Sequence, residues 1–193
     1  MENKTIDKKA SLKIVRYGAA ILRHQSAKIA QITVDIKSLA RQMEQLMHQS
    51  DGVGIAANQV AVEKQLAVVD VGDGPIYLVN PHIIQREGEA VAAEGCLSLP
   101  GLYGDVKRAA RVVVAATNLA GKPFKIEAEG FLARALQHEI DHLNGRLFID
   151  RVDESTLHWL VKPPKVEGVK LEPIEQPTTL QDALRVFLAR GGG

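Results

Sequence analysis

The strongest chemical signal in the chain is His138-Glu139-Ile140-Asp141-His142, set within the apolar, helix-forming run from Phe131 to Leu143 that Asn144-Gly145 stops. On a helix, residues four apart stand one turn above each other, so His138 and His142 can hold one metal ion between them. Glu139 is rotated by about 100° from His138, beside the pair, where its carboxylate can accept a proton from a metal-bound water. The pattern outlines a catalytic metal site. Its bland alternative is two hydrogen-bonded core histidines next to a surface glutamate.

A catalytic site of this kind takes three protein ligands and keeps one position open. The metzincin pattern would put a third His shortly after the helix-ending glycine, but Gly145 is followed by Arg146, Leu147 and Phe148. Glu154, Glu167 and Glu172 are available downstream, near or inside a proline-rich stretch that is a poor platform for a fixed ligand. Cys96 is the better candidate, being the only thiol and placed in a tight Gly95-Cys96 turn after a strand-like segment. A thiolate with two imidazoles suits Zn²⁺ or Fe²⁺ alike. Cys96 as a nucleophile is the competing reading, and a weaker one, because an activated water with Glu139 needs no such nucleophile. Glu94 and Asp141 could orient a ligating imidazole or a backbone amide, or serve as structural ion pairs.

The elements that must position these residues emerge from patterning. Ile36, Leu39, Ala40, Met43, Leu46 and Met47 recur at helical spacing between Thr33 and Ser50, and Asp51-Gly52 ends that helix. Gly52-Val53-Gly54-Ile55-Ala56-Ala57-Asn58-Gln59 comes after a helix, whereas phosphate-cradling loops run from strand into helix. Its glycines instead signal backbone passing close to something else. Leu12–Arg16, Leu66–Val71, Ile76–Asn80, His82–Arg86, Arg111–Asn118 and Phe124–Glu129 read as strands. Several short strands followed by one central helix predict an α+β fold: short mixed or antiparallel sheets around the metal-binding helix, with an N-terminal helix and a C-terminal helical arm. A catalytic domain over 1–160 is expected. Over 161–193 a Pro-rich linker (163–177) should lead to an amphipathic helix over Thr178–Arg190 that packs back on its own domain, docks on a partner or pairs with its copy.

Composition sets the outer limits. The chain has 193 residues, 46% hydrophobic and 24% charged, with a formal net charge of +1. That suits one globular domain with an arm, and offers no basic excess for binding DNA. One cysteine allows no intrachain disulfide and fits a reducing compartment. The polar start, Met1–Lys9, has no apolar core behind it, and no run approaches a membrane span. The expectation is a soluble cytoplasmic protein.

Three stretches, in order, resemble the signature motifs of peptide deformylases: Gly52–Gln59, Glu94-Gly95-Cys96-Leu97-Ser98 and His138-Glu139-Ile140-Asp141-His142. The resemblance runs from about Lys13 to Arg151. It implies removal of the formyl group from the N-terminal methionine of nascent peptides, with release of formate. It also implies Cys96, His138 and His142 as ligands of one divalent ion, natively Fe²⁺, with Zn²⁺, Ni²⁺ or Co²⁺ able to replace it. Glu139 would be the general base and later the acid, while the Gln59 amide and the Leu97 N–H would stabilise the oxyanion. Val53, Gly54 and Gly95 would let the substrate backbone lie alongside. Gly18-Ala19-Ala20-Ile21-Leu22-Arg23 departs from the family's Gly-Asp-Pro start, and what the family's tail does at the ribosome is not carried onto this arm.

Helix geometry adds three residues. Phe131 and Ala135 share the His138/His142 face, one or two turns toward the N-terminus, and are expected to wall a methionine pocket with Arg134 at its rim; for Phe131 the alternative is plain core. Leu132, Leu136, Ile140 and Leu143 face a core. Two other functions stay open on residues alone. A metallopeptidase cutting internal bonds needs a third ligand other than Cys96, and a metal-stabilised interaction module would close its site with four ligands.

Overall fold

In the computed structural model of the chain, residues 12–161 and 172–190 are described. The expected N-terminal helix is α1 (Val34–Gln49). Thr33 caps it by accepting a hydrogen bond from the Ile36 N–H at 3.3 Å, which satisfies a donor the helix cannot. Its stripe of Ile36, Leu39, Ala40, Met43 and Met47 is buried.

Next come β1 (Gly54–Ala56), β2 (Leu66–Val69), β3 (Ile76–Glu87), β4 (Ala90–Cys96), β5 (Leu99–Arg108), β6 (Arg111–Thr117) and β7 (Pro123–Glu129), then α2 (Gly130–Leu143), β8 (His158–Val161), β9 (Ile174–Pro177) and α3 (Leu180–Arg190). They make two antiparallel sheets, ordered β1-β2-β3-β6-β7 and β4-β5-β8-β9. Strand β2 shows why the first sheet is apolar through and through. Leu66 and Val68 pack with α1, whereas Ala67 and Val69 pack with α2. Alternation along the strand therefore sends side chains into two cores, and the sheet is held between the two helices. On α2, Leu136, Ile140 and Leu143 are buried and Leu132 packs beside them, as their spacing predicts.

Several expectations change. Ile76–Asn80 and His82–Arg86 are one strand, β3, bent at Asn80-Pro81. The ladder shifts register between Val79 and His82, Asn80 takes φ 53°, and its amide brackets the Ile29 N–H and C=O at 2.8 and 2.9 Å. A proline in a central strand is tolerated at such an irregularity. Leu12–Arg16 forms no ladder; it runs extended, with the Val15 N–H on Gln59 O (2.8 Å) and the Tyr17 N–H on Ser98 O (3.0 Å). Strands β4 and β5 were not expected in full, because their Ala, Gly and Pro content argues against strand; cross-strand pairing overrides it.

The proline-rich linker read over 163–177 falls partly on 162–171, outside the described residues, as do Glu167 and the charged N-terminal stretch 1–11. Its last four residues are not linker but β9, an edge strand that can end in Pro177 because little of its backbone needs a partner. Helix α3 is capped by Thr179, whose Oγ1 accepts from the Asp182 N–H and donates to its carboxylate. Ala183 and Phe187 are buried with Leu22, Leu99, Leu102 and Leu157, so the helix packs back on its own fold.

Candidate metal centre

Two elements bring the donors together. Cys96 ends β4 where the β4–β5 register shifts between Gly95 and Cys96, which turns the sulfur off the sheet, while His138 and His142 stand on one face of α2. Cys96 Sγ lies 3.2 Å from His142 Nε2, and the two Nε2 atoms are 3.2 Å apart. Among the described residues these three offer ligand atoms all within 4.8 Å of one another. Ligands of one tetrahedral ion at ordinary bond lengths stand about 3.4 Å apart, so the spacing fits a shared cation. The two imidazoles differ in their surroundings. Burial alone would depress His138, but hydrogen bonds to Cys96 and Glu94 and the charge of Glu139 push it up to about 10. Burial and the charge of His138 hold His142 well below its usual value. One soft sulfur and two imidazoles suit Fe²⁺ or Zn²⁺.

Glu139 is 3% exposed and its Oε2 has no partner among the described residues. Burial lifts its carboxyl to about 7. What the glycine loop passes close to is this carboxylate, since a Cβ on Gly54 would overlap Glu139. Gly95 is likewise required by an internal neighbour: its Cβ would fall 2.5 Å from Tyr103 Cε1.

Gln59, in the short 3-10 turn Ala57–Val60, is held at its oxygen by the Ala56 N–H (2.8 Å). Its Nε2 therefore points at Ser98 Oγ (3.3 Å) and the Cys96 sulfur (3.6 Å). Leu97 comes directly after Cys96, with its carbonyl taken by Arg16 (2.8 Å). Cys96, His138, Glu139, Gln59 and Leu97 line one cavity of about 620 Å³, together with Val53, Phe131, Ala135 and Leu160. Phe131 is 58% exposed, which removes the plain-core alternative.

Arg134 lines the cavity, but it does not turn its charge to solvent. Its guanidinium is buried, donating to Glu94 Oε1 (2.7 Å), Val106 O (2.7 Å) and Ala90 O (2.9 Å), because the β4–β5 hairpin supplies acceptors that solvent would otherwise provide. It belongs to a network that the sequence alone does not reveal. Arg108 grips Glu94 with two bonds (2.5 and 2.8 Å) and Asp141 with a third (2.7 Å); Arg151 holds both Asp141 oxygens. Glu94 in turn meets His138 Nδ1 at 3.0 Å, which turns the other ring nitrogen toward the donors. Burial opposes ionisation of Glu94 and Asp141, yet the guanidinium bonds win and hold both below the usual carboxylate range. Asn58 fixes α2 from the opposite side, donating to His142 O (2.5 Å). The signal that could have found Arg108 was the need of two buried acids for a cation.

Comparison with known proteins agrees with this geometry. Residues 11–158 match the family model described as polypeptide deformylase. A peptide deformylase of Desulfitobacterium hafniense is 47% identical over 147 residues, 76% of this chain and 98% of that one. One from Halothermothrix orenii is 51% identical over 143 residues, 73% of this chain and 93% of its own. Among solved structures, a peptide deformylase from Legionella pneumophila superposes with a TM-score of 0.72 at 41% identity, over 75% of this chain and 87% of that one. One from Synechococcus elongatus, in complex with actinonin, gives 0.73 at 34% identity over 100% of this chain and 92% of its own.

Proposed function

This chain belongs to the peptide deformylase family, and from that premise we propose that it hydrolyses the N-formyl group from the N-terminal methionine of nascent polypeptides, releasing formate. The observation that carries the reading is the convergence of Cys96 Sγ, His142 Nε2 and His138 Nε2 beside an unpartnered, buried Glu139 carboxylate. Cys96, His138 and His142 would hold one divalent ion, natively Fe²⁺, with Zn²⁺, Ni²⁺ or Co²⁺ as substitutes. Such an ion supplies Lewis acidity toward the formyl oxygen and toward water. Three donors, with no fourth among the described residues, favour an open working site over a closed structural one.

The protein's own groups then divide the work. As water adds to the formyl carbon, Glu139 takes its proton. When the C–N bond breaks, Glu139 returns that proton to the leaving nitrogen, which departs as the free amine. Gln59 Nε2 and the Leu97 N–H donate to the carbonyl oxygen as it gains negative charge. Phe131, Ala135 and Val53 wall the methionine side chain, Arg134 closes the pocket from beneath with its polar bonds satisfied, and Gly54 and Gly95 lie beside the peptide backbone. The catalytic domain over 1–160 carries this machinery, and α3 packs against it through Ala183 and Phe187. In this reading the protein works in the cytoplasm on chains emerging from the ribosome. No helix among the described residues is long and apolar enough to cross a membrane.

Formate release from a formyl-Met peptide tests the proposal, using protein prepared without oxygen. Glu139→Gln should cut release by about 10²- to 10⁴-fold while metal content stays at one ion per chain. Full turnover by that variant, or cleavage of internal peptide bonds without formate release by the wild type, would overturn it.

A further inference from the structure

The family match ends at residue 158, where strand β8 begins, and that strand adds a wall to the cavity. Strand β8 pairs with β5, Leu102 opposite Trp159 and Tyr103 opposite His158. Side chains alternate across a strand, so the four residues of β8 split between two faces. Trp159 turns inward and packs against Phe187 of α3, ring centroids 5.4 Å apart, with Tyr17 against the same phenyl ring at 6.2 Å. His158 stacks on Tyr103 at 6.1 Å, on the opposite face, and Leu160 shares that face. Leu160 and Tyr103 both line the cavity that holds the donors.

Leu160 is held from several sides. Its backbone lies between β5 and β9, where it faces Glu175, and the neighbouring Trp159 is anchored by α3. Outside the catalytic motifs and α2, the lining comes from Ile14, Pro100, Gly101, Tyr103 and Leu160, with Arg16, Ser50, Asp51 and Ala93 as its polar and small part. The Arg16 guanidinium is engaged by Leu97 O, and Tyr103 underlies Gly95. Beside β8 the surface left to meet a ligand is the apolar one of Leu160, Ile14 and Pro100.

We propose that the C-terminal β8–β9 pair completes the substrate groove, with Leu160 a specificity-determining residue that favours apolar side chains in the positions after formyl-methionine. This rests on the deformylase reading. The formyl group must reach Glu139 and the donors, and α2 supplies Phe131 and Ala135 for methionine. The rest of the peptide leaves past the wall that Leu160 helps build. Apolar contact made equally with substrate and transition state acts through KM.

The test compares formyl-Met amide with formyl-Met tripeptides carrying apolar or acidic residues after methionine. Leu160→Asp should raise KM for the apolar tripeptides about tenfold, less for formyl-Met amide, and shift preference toward non-apolar sequences. Leu160→Ala should give a smaller change in the same order, and serves if the aspartate variant does not fold. Val161→Ala, whose side chain lies on the other face, should leave the preferences as they are. Equal losses on amide and tripeptides, or no change with Leu160→Ala and Leu160→Asp, would overturn the proposal. A wild type that releases no formate from any of these substrates would instead overturn the deformylase reading.

Discussion

Gly54→Ala isolates the catalytic carboxylate without touching it. Gly54 is not in the left-handed region and pairs with Val69 in β1–β2, so alanine is acceptable to the backbone. The obstacle is Glu139: the new Cβ would overlap Oε1 and stand 2.8 Å from Cδ and 3.0 Å from Cγ, where ordinary contact begins at 3.4 Å. Relief requires the carboxylate to move by about 1 Å, a misplacement that can cost about a hundredfold in rate. That is about 2.7 kcal/mol of barrier, and the loss is bounded above by the roughly 10²- to 10⁴-fold that a positioned acid–base group contributes. Formate release should therefore fall about a hundredfold in kcat. Metal content should hold, since the three atoms nearest to that Cβ all belong to Glu139 and none to Cys96, His138 or His142. The same substitution in a Glu139→Gln background should cost far less, because the displaced group no longer transfers protons. Wild-type kcat in Gly54→Ala, or an equal loss in both backgrounds, would refute the idea that Gly54 exists to seat Glu139.

The ion network and the donors carry further expectations. Arg108→Leu leaves the buried Glu94 with Arg134 and Asp141 with Arg151 as their remaining guanidiniums, and should destabilise the protein by about 1.5–3 kcal/mol in urea unfolding; a change below about 1 kcal/mol would refute the network's role. Glu94 and Asp141 are held below their ordinary values of 4.5 and 3.8, so their contribution is present above those values and drains away as pH falls through and below them. The urea midpoint should drop from pH 5 toward pH 3, and Asp141→Asn should flatten that slope; parallel profiles would count against it. Ser98→Ala frees one side of the Gln59 amide and should lower kcat about tenfold with KM little changed; an unaltered kcat would show that Ala56 alone aligns Gln59. Cys96→Ser should lose tight metal binding by elemental analysis while near-native circular dichroism persists, because α2 is anchored by its leucine face; collapse of the fold would assign the ion a structural role.

What was legible in the sequence is what a fixed helical period projects. His138, Glu139 and His142 had their relative directions set by the rise and turn of a helix, and the Leu136, Ile140 and Leu143 face had to oppose them. The α1 stripe was readable for the same reason. Strands β4 and β5 were not, because their stability lies in each other and in what they cover, with little in their Ala- and Gly-rich composition to announce it. The buried network around Arg134 was hidden by the same limit. The angle of Arg134 on α2 was correct, but the β4–β5 carbonyls that bury its charge come from 28 and 44 residues away.

The position of Cys96 shows how the hidden part decides the visible one. Helix geometry says where two imidazoles point, but a sulfur within 3.2 Å of one of them requires β4 to end in register with α2. That register is set by the shift at Gly95–Cys96 and by Glu94, two residues earlier, which Arg108, Arg134 and His138 clasp together. The same carboxylate thus orients one ligand and anchors the strand that carries another. A change at Glu94 should disturb both donors at once. Glu94→Gln keeps the shape but loses the charge that two guanidiniums require, and should weaken metal affinity by about 10- to 100-fold and stability together. Metal titration and urea unfolding on the same samples would check the coupling; loss of one without the other would show that Glu94 serves only the imidazole or only the strand.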